Sequence, residues 1–384
     1  RPGPSPLAYR QKSFANEIAN PSTTLLTCNL GQFQHRDNDM SSTINTANNQ
    51  PVNDIHAQER DSLRVIQVPR RFVANEWGGT ETMILESSRA LTRSGHQCEI
   101  HTTTALCENP HENINGVEVF RHNYSYPFFG LSDDARLDMD RKGGNILSLS
   151  LLRNLLKIPG VDVFHAHSGK RLGGIVRTAA RRRGLPYVIT LHGGMFQIPE
   201  QEMEQMLSPL QGTLEWGRIF GAMLGARRVL EDANAIICVG QDEQQAVQSR
   251  FPHKRVEWVP NGVDVTRFAH GDGKGFRAAH NIPEHAPVLL CVSRIDYQKN
   301  QLLLVDALAR LTETYRDLHL VIMGPVTVSS YEQRLKARIN DLGLNDHVTI
   351  VEGQPAGSQE LVNAFHAADV FSLPSLHEPF GIVI

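Results

Sequence analysis

The chain has 384 residues, 40% of them hydrophobic and 21% charged, with a formal net charge of -3. That balance is the one found in soluble globular proteins of two ordinary domains; it excludes disorder throughout and offers no general attraction to nucleic acid. The five cysteines, Cys28, Cys98, Cys107, Cys238 and Cys291, are widely spaced with no CxxC, which argues against zinc or a disulfide framework and suits a reducing cytoplasm.

Residues 1–60 are dominated by Asn, Ser, Thr, Gln, Asp and Pro and are expected to form a disordered polar head, because they cannot bury enough apolar surface to offset ordering entropy. An N-terminal domain is expected over 61–268. It opens with the apolar run Leu63 to Val68, and further strands are predicted at Cys98 to Thr103, Val117 to His122, Val161 to His165, Tyr187 to Leu191, Ala235 to Val239 and Val256 to Val259. Helices from Glu81 to Arg93 and from Leu172 to Arg183 are closed by Gly95 and Gly184, which suit left-handed C-caps. The run Arg181-Arg182-Arg183 reads as a solvated helix end. Strands alternating with helices indicate a doubly wound parallel sheet.

A polar, Gly-rich stretch around His270 to Gly275 is read as the linker, over 269–285. A second α/β series then fills 286–384: strands at Val288 to Val292, Leu318 to Met323, Val348 to Val351 and Val370 to Leu373, with helices at Asn300 to Tyr315, Ser330 to Leu342 and Gln359 to Ala368. No apolar run approaches the roughly 18 residues needed to span a bilayer.

Four segments carry chemistry. In Trp77-Gly78-Gly79-Thr80-Glu81, two glycines clear space at a strand-helix junction where free N–H groups and the helix dipole favour an anion. In Thr190-Leu191-His192-Gly193-Gly194, a histidine stands at a strand end, where open α/β sheets bind ligands; His165 and His167 occupy a neighbouring strand end and read as turn-lining rather than metal-binding. In Ser293-Arg294-Ile295-Asp296-Tyr297-Gln298-Lys299-Asn300, a guanidinium and an ammonium follow a strand and could stabilise negative charge on a phosphate leaving group. In His377-Glu378-Pro379-Phe380-Gly381-Ile382, a carboxylate precedes a glycine turn whose amides at Phe380, Gly381 and Ile382 could converge on a phosphate or hydroxyl.

From Leu63 to Ile384, these segments in this order resemble the retaining GT-B glycosyltransferases of the family 4 (group 1) type. The resemblance implies two Rossmann-like domains facing a cleft, with a nucleoside diphosphate sugar as donor substrate and no separate cofactor or metal. It assigns the donor diphosphate to Arg294, Lys299 and the amides of Phe380, Gly381 and Ile382, orientation of the sugar to Glu378 and His192, and the cleft loops to Gly78, Gly79 and Gly193. Asn300 stands where many relatives carry Gly. The chain ends before the second Glu of the family's E-x7-E segment, so the C-terminal domain is expected to be incomplete and turnover poor. The expected reaction is transfer of a hexose to a hydroxyl acceptor with retention of configuration. Expected partners are the donor and a glycan or lipid-linked acceptor, without nucleic acid, in the cytoplasm or at the inner face of the membrane. Alternatives are a nucleotide-sugar epimerase of the same fold and a non-catalytic nucleotide-sugar binding protein. Two Asp-x-Asp sequences, Asp37-Asn38-Asp39 and Asp138-Met139-Asp140, follow no apolar strand and so do not resemble the metal site of a GT-A enzyme.

Overall fold

The computed structural model describes residues 62–73, 78–141, 143–193, 210–355, 357–378 and 381–383. The expected polar head lies outside them, as do Trp77, Gly194 and Phe380.

The first unit is built on an eight-stranded sheet of β1 (Arg64–Val68), β2 (Gln97–Thr103), β3 (His111–Ile114), β4 (Val117–His122), β6 (Val163–Ala166), β7 (Tyr187–Leu191), β9 (Ala235–Cys238) and β10 (Val256–Trp258). Its order is β10-β9-β7-β6-β1-β2-β4-β3, and every pairing is parallel except β3 with β4. The exception is a hairpin over Asn115-Gly116, both at positive φ, 50° and 88°, which matches the twist of the two strands. A separate two-stranded ribbon pairs β5 (Phe128–Phe129) with β8 (Leu214–Glu215).

Helices cover both faces, as a parallel sheet requires. On one, Ile84 and Leu85 of α1 (Gly79–Arg93) pack with Phe72, Ile100, Val117 and Val119. On the other, α3 (Leu149–Lys157) and α4 (Lys170–Arg183) bury Leu151, Leu155, Leu172, Ile175, Val176 and Ala179 against β1, β6, β7 and β9. The loop between β5 and α3 contains α2 (Asp133–Arg141). Asp140 of that helix is buried and receives the Tyr126 hydroxyl at 2.8 Å and the Tyr124 hydroxyl at 2.5 Å, whereas Asp138 is exposed. Gly184 closes α4 at φ 65°, ψ 26°, as its place in the sequence suggested. Arg181 and Arg182 are exposed there, whereas Arg183 donates to the Leu155 carbonyl at 2.7 Å. The strand expected from Val161 starts at Val163; just before it, the Asp162 carboxylate receives the Arg64 amide at 2.8 Å.

The second unit has a four-stranded parallel sheet of β11 (Val288–Val292), β12 (His319–Met323), β13 (Val348–Val351) and β14 (Val370–Phe371), ordered β13-β12-β11-β14. Residues of β12 alternate between its faces: Leu320 and Ile322 join Leu304, Val305, Leu308, Tyr331, Leu335 and Ile339, while Val321 and Met323 join Phe276, Leu361 and Ala364. The first set brings in α7 (Gln301–Leu311) and α8 (Ser329–Asp341), the second α9 (Gln359–Ala367).

The stretch read as a linker is not simply extended. After α5 (Gln241–Arg250), and within 269–285, lies helix α6 (Gly273–Ala279), capped by Asp272 whose carboxylate receives the Gly275 amide at 2.8 Å. It docks on α9: Phe276 is buried in the second core, and Arg277 donates to the Ala367 carbonyl. The glycines that suggested a linker are needed for this close approach, since a Cβ at Gly273 would run into the His366 carbonyl. Among the described residues no helix is long and apolar enough to cross a membrane.

Candidate functional site

Apart from the β3–β4 hairpin, the chain order reverses once in each sheet. In the first it runs outward through β1, β2 and β4 and then returns through β6, β7, β9 and β10, so the reversal lies between β1 and β6. In the second it runs β11, β12, β13 and returns to β14, so it lies between β11 and β14. The carboxyl ends of the strands flanking such a reversal form a natural crevice, because their following loops diverge to opposite faces. Three of the four sequence segments fall there, and the His192 segment follows the next strand over. The Gly78-Gly79 loop follows β1, and the histidine-bearing ends belong to β6 and its neighbour β7; the Arg294 to Lys299 loop follows β11, and the Glu378 tail follows β14.

In the second crevice the loop is shaped by Asp296, only 1% exposed. Its carboxylate receives the Lys299 amide at 3.1 Å and the Thr327 hydroxyl at 3.1 Å, and pairs with Arg294 at 3.3 Å. Buried Gln301 ties the loop's start to its end by donating to Ser293 Oγ at 2.9 Å and to the Arg294 carbonyl at 2.7 Å. Asn300 adopts the left-handed conformation, φ 55° and ψ 38°, at the entry to α7, so helix α7 begins one residue later than expected, after a position whose backbone suits Gly or Asn. Gly324, at the end of β12, lies so close beneath the loop that a Cβ there would strike the Ser293 carbonyl.

Lys299 and Glu378, 79 residues apart, meet at 2.5 Å. The same Glu378 carboxylate receives the Ser375 hydroxyl at 3.0 Å and the Gly381 amide at 3.1 Å. Gly381, at φ 68°, therefore aims its amide at Glu378, where the sequence reading had it on a phosphate. Gln298 couples the two segments again: it accepts from Arg294 at 3.0 Å, donates to the His377 carbonyl at 2.9 Å, and its own carbonyl receives the Leu376 amide. Phe380 lies outside the described residues.

The Gly78-Gly79 loop caps α1. The Gly78 amide donates to Glu81 at 3.1 Å, and Glu81, itself buried, pairs with Arg71 at 3.4 Å. One end of the anion-ready helix is thus already supplied with a carboxylate. Gly79 brings the two units together: a Cβ built on it would lie 3.3 Å from Ile382 Cγ2.

In the first crevice, His192 Nε2 lies 3.0 Å from His167 Nδ1, and the His165 and His167 rings are 4.2 Å apart at their centroids. His165 is bonded to Thr190 at 2.6 Å and His167 to Gln67 at 2.6 Å. These ring contacts are to protein partners. Burial pushes His165 down to about 3 and His192 to about 4, and takes His167 well below the usual histidine range, with the neighbouring imidazoles adding to the effect at His165 and His167. All three are neutral imidazoles near pH 7. Gly193, at φ 85°, donates its amide to Glu243 at 3.2 Å.

Sequence reading did not single out Asp296 or Gln301 as the framework of the basic loop, nor Gln67 beneath the histidines. A buried acid two residues after Arg294 was a usable signal, whereas Gln67 sits inside an apolar strand and only the three-dimensional register brings it under His167.

The family model described as Glycosyltransferase Family 4 matches residues 77–267, and that described as Glycosyl transferases group 1 matches residues 274–384. The chain is 30% identical over 322 residues to the D-inositol 3-phosphate glycosyltransferase of Actinosynnema mirum, covering 80% of this chain and 72% of the relative. It is 27% identical over 312 residues to the enzyme of that name from Mycolicibacterium gilvum, again over 80% of this chain but 66% of the relative, so it spans just under two thirds of that protein. Among solved structures it is similar to Anabaena HepE in complex with UDP and glucose, with TM-score 0.58, 16% identity and coverage of 84% and 77%. The sucrose-phosphate synthase of Thermosynechococcus elongatus has TM-score 0.58, 18% identity and the same coverages. These likenesses identify the fold as the GT-B architecture.

Proposed function

The chain belongs to the family 4, group 1 glycosyltransferases, and on that premise we propose that it transfers a hexose from a nucleoside diphosphate sugar to a hydroxyl acceptor with retention of configuration. The observation that carries the reading is the Arg294, Lys299 and Glu378 constellation at the reversal of the second sheet. Two cations there suit a diphosphate whose charge grows as the glycosidic bond breaks, and a carboxylate beside them suits the hydroxyls of the attached sugar. Support for such a donor also comes from the fold neighbours, one of which was solved with UDP and glucose.

In this scheme Lys299 and Arg294 bind the departing diphosphate, Glu378 and His192 orient the sugar, and the first unit around Gly78 and Gly79 presents the acceptor. With the Glu378 carboxylate held by Lys299, Ser375 and the Gly381 amide, the acceptor in this scheme attacks from the face the diphosphate leaves, and the leaving phosphate takes its proton. Catalysis then rests on positioning and on stabilising the leaving group. Because the two side-chain cations neutralise the diphosphate, turnover is expected to survive EDTA. Nucleotide sugars screened by thermal shift, followed by the anomeric configuration of the product by NMR, test the reading. Failure of every nucleotide sugar to stabilise the protein, or an inverted product, would sink it. Free epimerised nucleotide sugar formed without acceptor would favour the epimerase instead.

A further inference from the structure

Exposed apolar side chains gather on one outer face of the first unit. In the two-stranded ribbon Phe129 and Leu214 are register partners, and Trp216 lies two residues beyond Leu214, so the three share a face. The short helix Arg218–Met223 continues it, with Ile219 and Met223 one turn apart on the same side. Phe129, Leu214, Ile219 and Met223 are between 62% and 73% exposed, and Trp216 is exposed as well. The Phe129 and Trp216 rings are 5.9 Å apart at their centroids, and Trp216 meets Phe220 edge-on at 5.8 Å, which joins ribbon to helix. The other side of these elements is anchored. Phe128 packs against Tyr126, Met139 and Ile146, Glu215 pairs with buried Arg171, and the Trp216 and Gly217 amides donate to the Pro127 carbonyl at 3.2 and 3.3 Å. Gly217 is pressed so closely on Pro127 that a Cβ would run into its ring. The outward residues are thus held out by packed neighbours. Single exposed apolar residues need no explanation, but a continuous apolar face marks a surface that meets something other than water.

Charge indicates what it meets. Arg218, Arg227 and Arg228 are exposed along the same ridge. Asp232, bonded by Arg228 at 3.1 Å and by Arg181 at 3.5 Å, brings in the end of α4 with exposed Arg181 and Arg182. Of the carboxylates on this ridge, Glu215, Glu231 and Asp232, Glu231 alone is exposed, against those five arginines, in a chain whose net charge is -3. We propose that the face of Phe129, Leu214, Trp216, Ile219 and Met223 docks the first unit on an anionic lipid bilayer, the apolar side chains entering the interface and the arginines meeting the headgroups. Tryptophan and other amphipathic rings settle at headgroup level, and each arginine near an anionic surface strengthens binding about fivefold. The exposed acids Asp133, Asp134 and Asp138 of α2, which follows β5, set the approach, since the bilayer is repelled there and drawn to the arginine side. Arg171 lies in the first turn of α4, the helix after β6, so the docked face stands beside the first crevice, where a hydroxyl acceptor carried on lipid would be presented. That last step rests on the transferase reading; the docking does not.

Co-sedimentation of the full chain with vesicles tests the proposal. Vesicles of phosphatidylglycerol and phosphatidylcholine in equal parts should bring the chain down, and phosphatidylcholine alone should bind it at least about tenfold more weakly. Sodium chloride at about 0.5 M should remove most of that difference. Ile219→Ser combined with Met223→Ser should lower partitioning into the anionic vesicles about tenfold or more. Arg218→Gln combined with Arg227→Gln should lower it about 25-fold, two arginines at about fivefold each. These four side chains are exposed, so the melting temperature should not move; if a variant fails to fold, the lipid and salt dependence of the wild type still decides. Brominated lipid should quench tryptophan fluorescence in the wild type and far less in Trp216→Phe. Absence of binding to the anionic vesicles, equal binding to both compositions, or binding indifferent to the Ile219 and Met223 substitutions overturns the proposal. So does a concentration-dependent dimer that the same pair of substitutions makes monomeric, which would assign the face to a second copy of this chain. Failure of every nucleotide sugar to bind would count against the transferase reading and leave the vesicle result standing.

Discussion

At the scale of single residues, the second-unit crevice depends on one close ion pair and on the buried acid that shapes its loop. Among the described residues, Lys299→Met would leave Glu378 with Ser375 and the Gly381 amide, and it would remove a cation from the proposed diphosphate position. Loss of one such preorganised contact typically costs about 10²–10³ in kcat, so initial rates with a nucleotide sugar should fall by that order while the melting temperature changes little. Asp296→Ala differs in kind. Asp296 holds Arg294, the Lys299 amide and Thr327 from a fully buried position, so its removal orphans several groups. A destabilisation of about 3 kcal/mol is expected, read as a lowered denaturation midpoint, together with weakened nucleotide binding. A variant that loses binding with its stability intact would show that Asp296 acts on the ligand rather than on the loop.

At the scale of elements, Asn300 decides how the basic loop enters α7. Its left-handed backbone is tolerated by Asn and favoured by Gly, while a Cβ without a compensating side chain costs about 1 kcal/mol. Asn300→Gly should therefore leave stability nearly unchanged and Asn300→Ala should lower it by about that amount, as chemical denaturation would show. The αL entry explains why this stretch was legible only in part: the apolar spacing of Leu304, Val305 and Leu308 announces a helix, but nothing in it announces the conformation of its first flanking residue. The parallel strands were readable because each is a short apolar run between turn signals. The β3–β4 hairpin was missed although Asn115-Gly116 is a strong signal for it, since the polar strand His111–Ile114 has no apolar alternation to draw attention. Helix α6 was hidden by its glycines, which suit a linker but are used here to let the helix pass close to α9. The order of the site motifs survived reading because each follows a strand; the hydrogen bonds joining Lys299 to Glu378 and Gln67 to His167 span 79 and 100 positions and have no local signature.

At the scale of the whole molecule, the two units carry different loads of buried imidazole, and that difference has a pH dependence. In the first unit burial lowers His122 and His192 to about 4 and His165 to about 3, and takes His167 well below the usual histidine range; in the second, buried His319 is shifted downward. A histidine whose folded pKa lies below its unfolded value, about 6.5, takes up its proton first in the unfolded chain. The stability it contributes is complete above that value and drains away as the pH falls toward the folded pKa, with a limiting slope of about 1.4 kcal/mol per pH unit for each group. Glu99, held low chiefly by its bond to His101, loses its contribution only below the ordinary carboxylate range, so it does not obscure this window. Among the described residues the units approach each other at Gly79, where a Cβ would lie 3.3 Å from Ile382 Cγ2. Calorimetry between pH 7.5 and pH 5 should therefore show the transition of the first unit moving to lower temperature faster than that of the second, with the two separating as acid is added. Substituting His122 by Gln should reduce that shift, because one of the four imidazoles no longer charges on unfolding. Two transitions moving in parallel across this range would mean that the buried histidines are not the groups that set the acid sensitivity of the first unit.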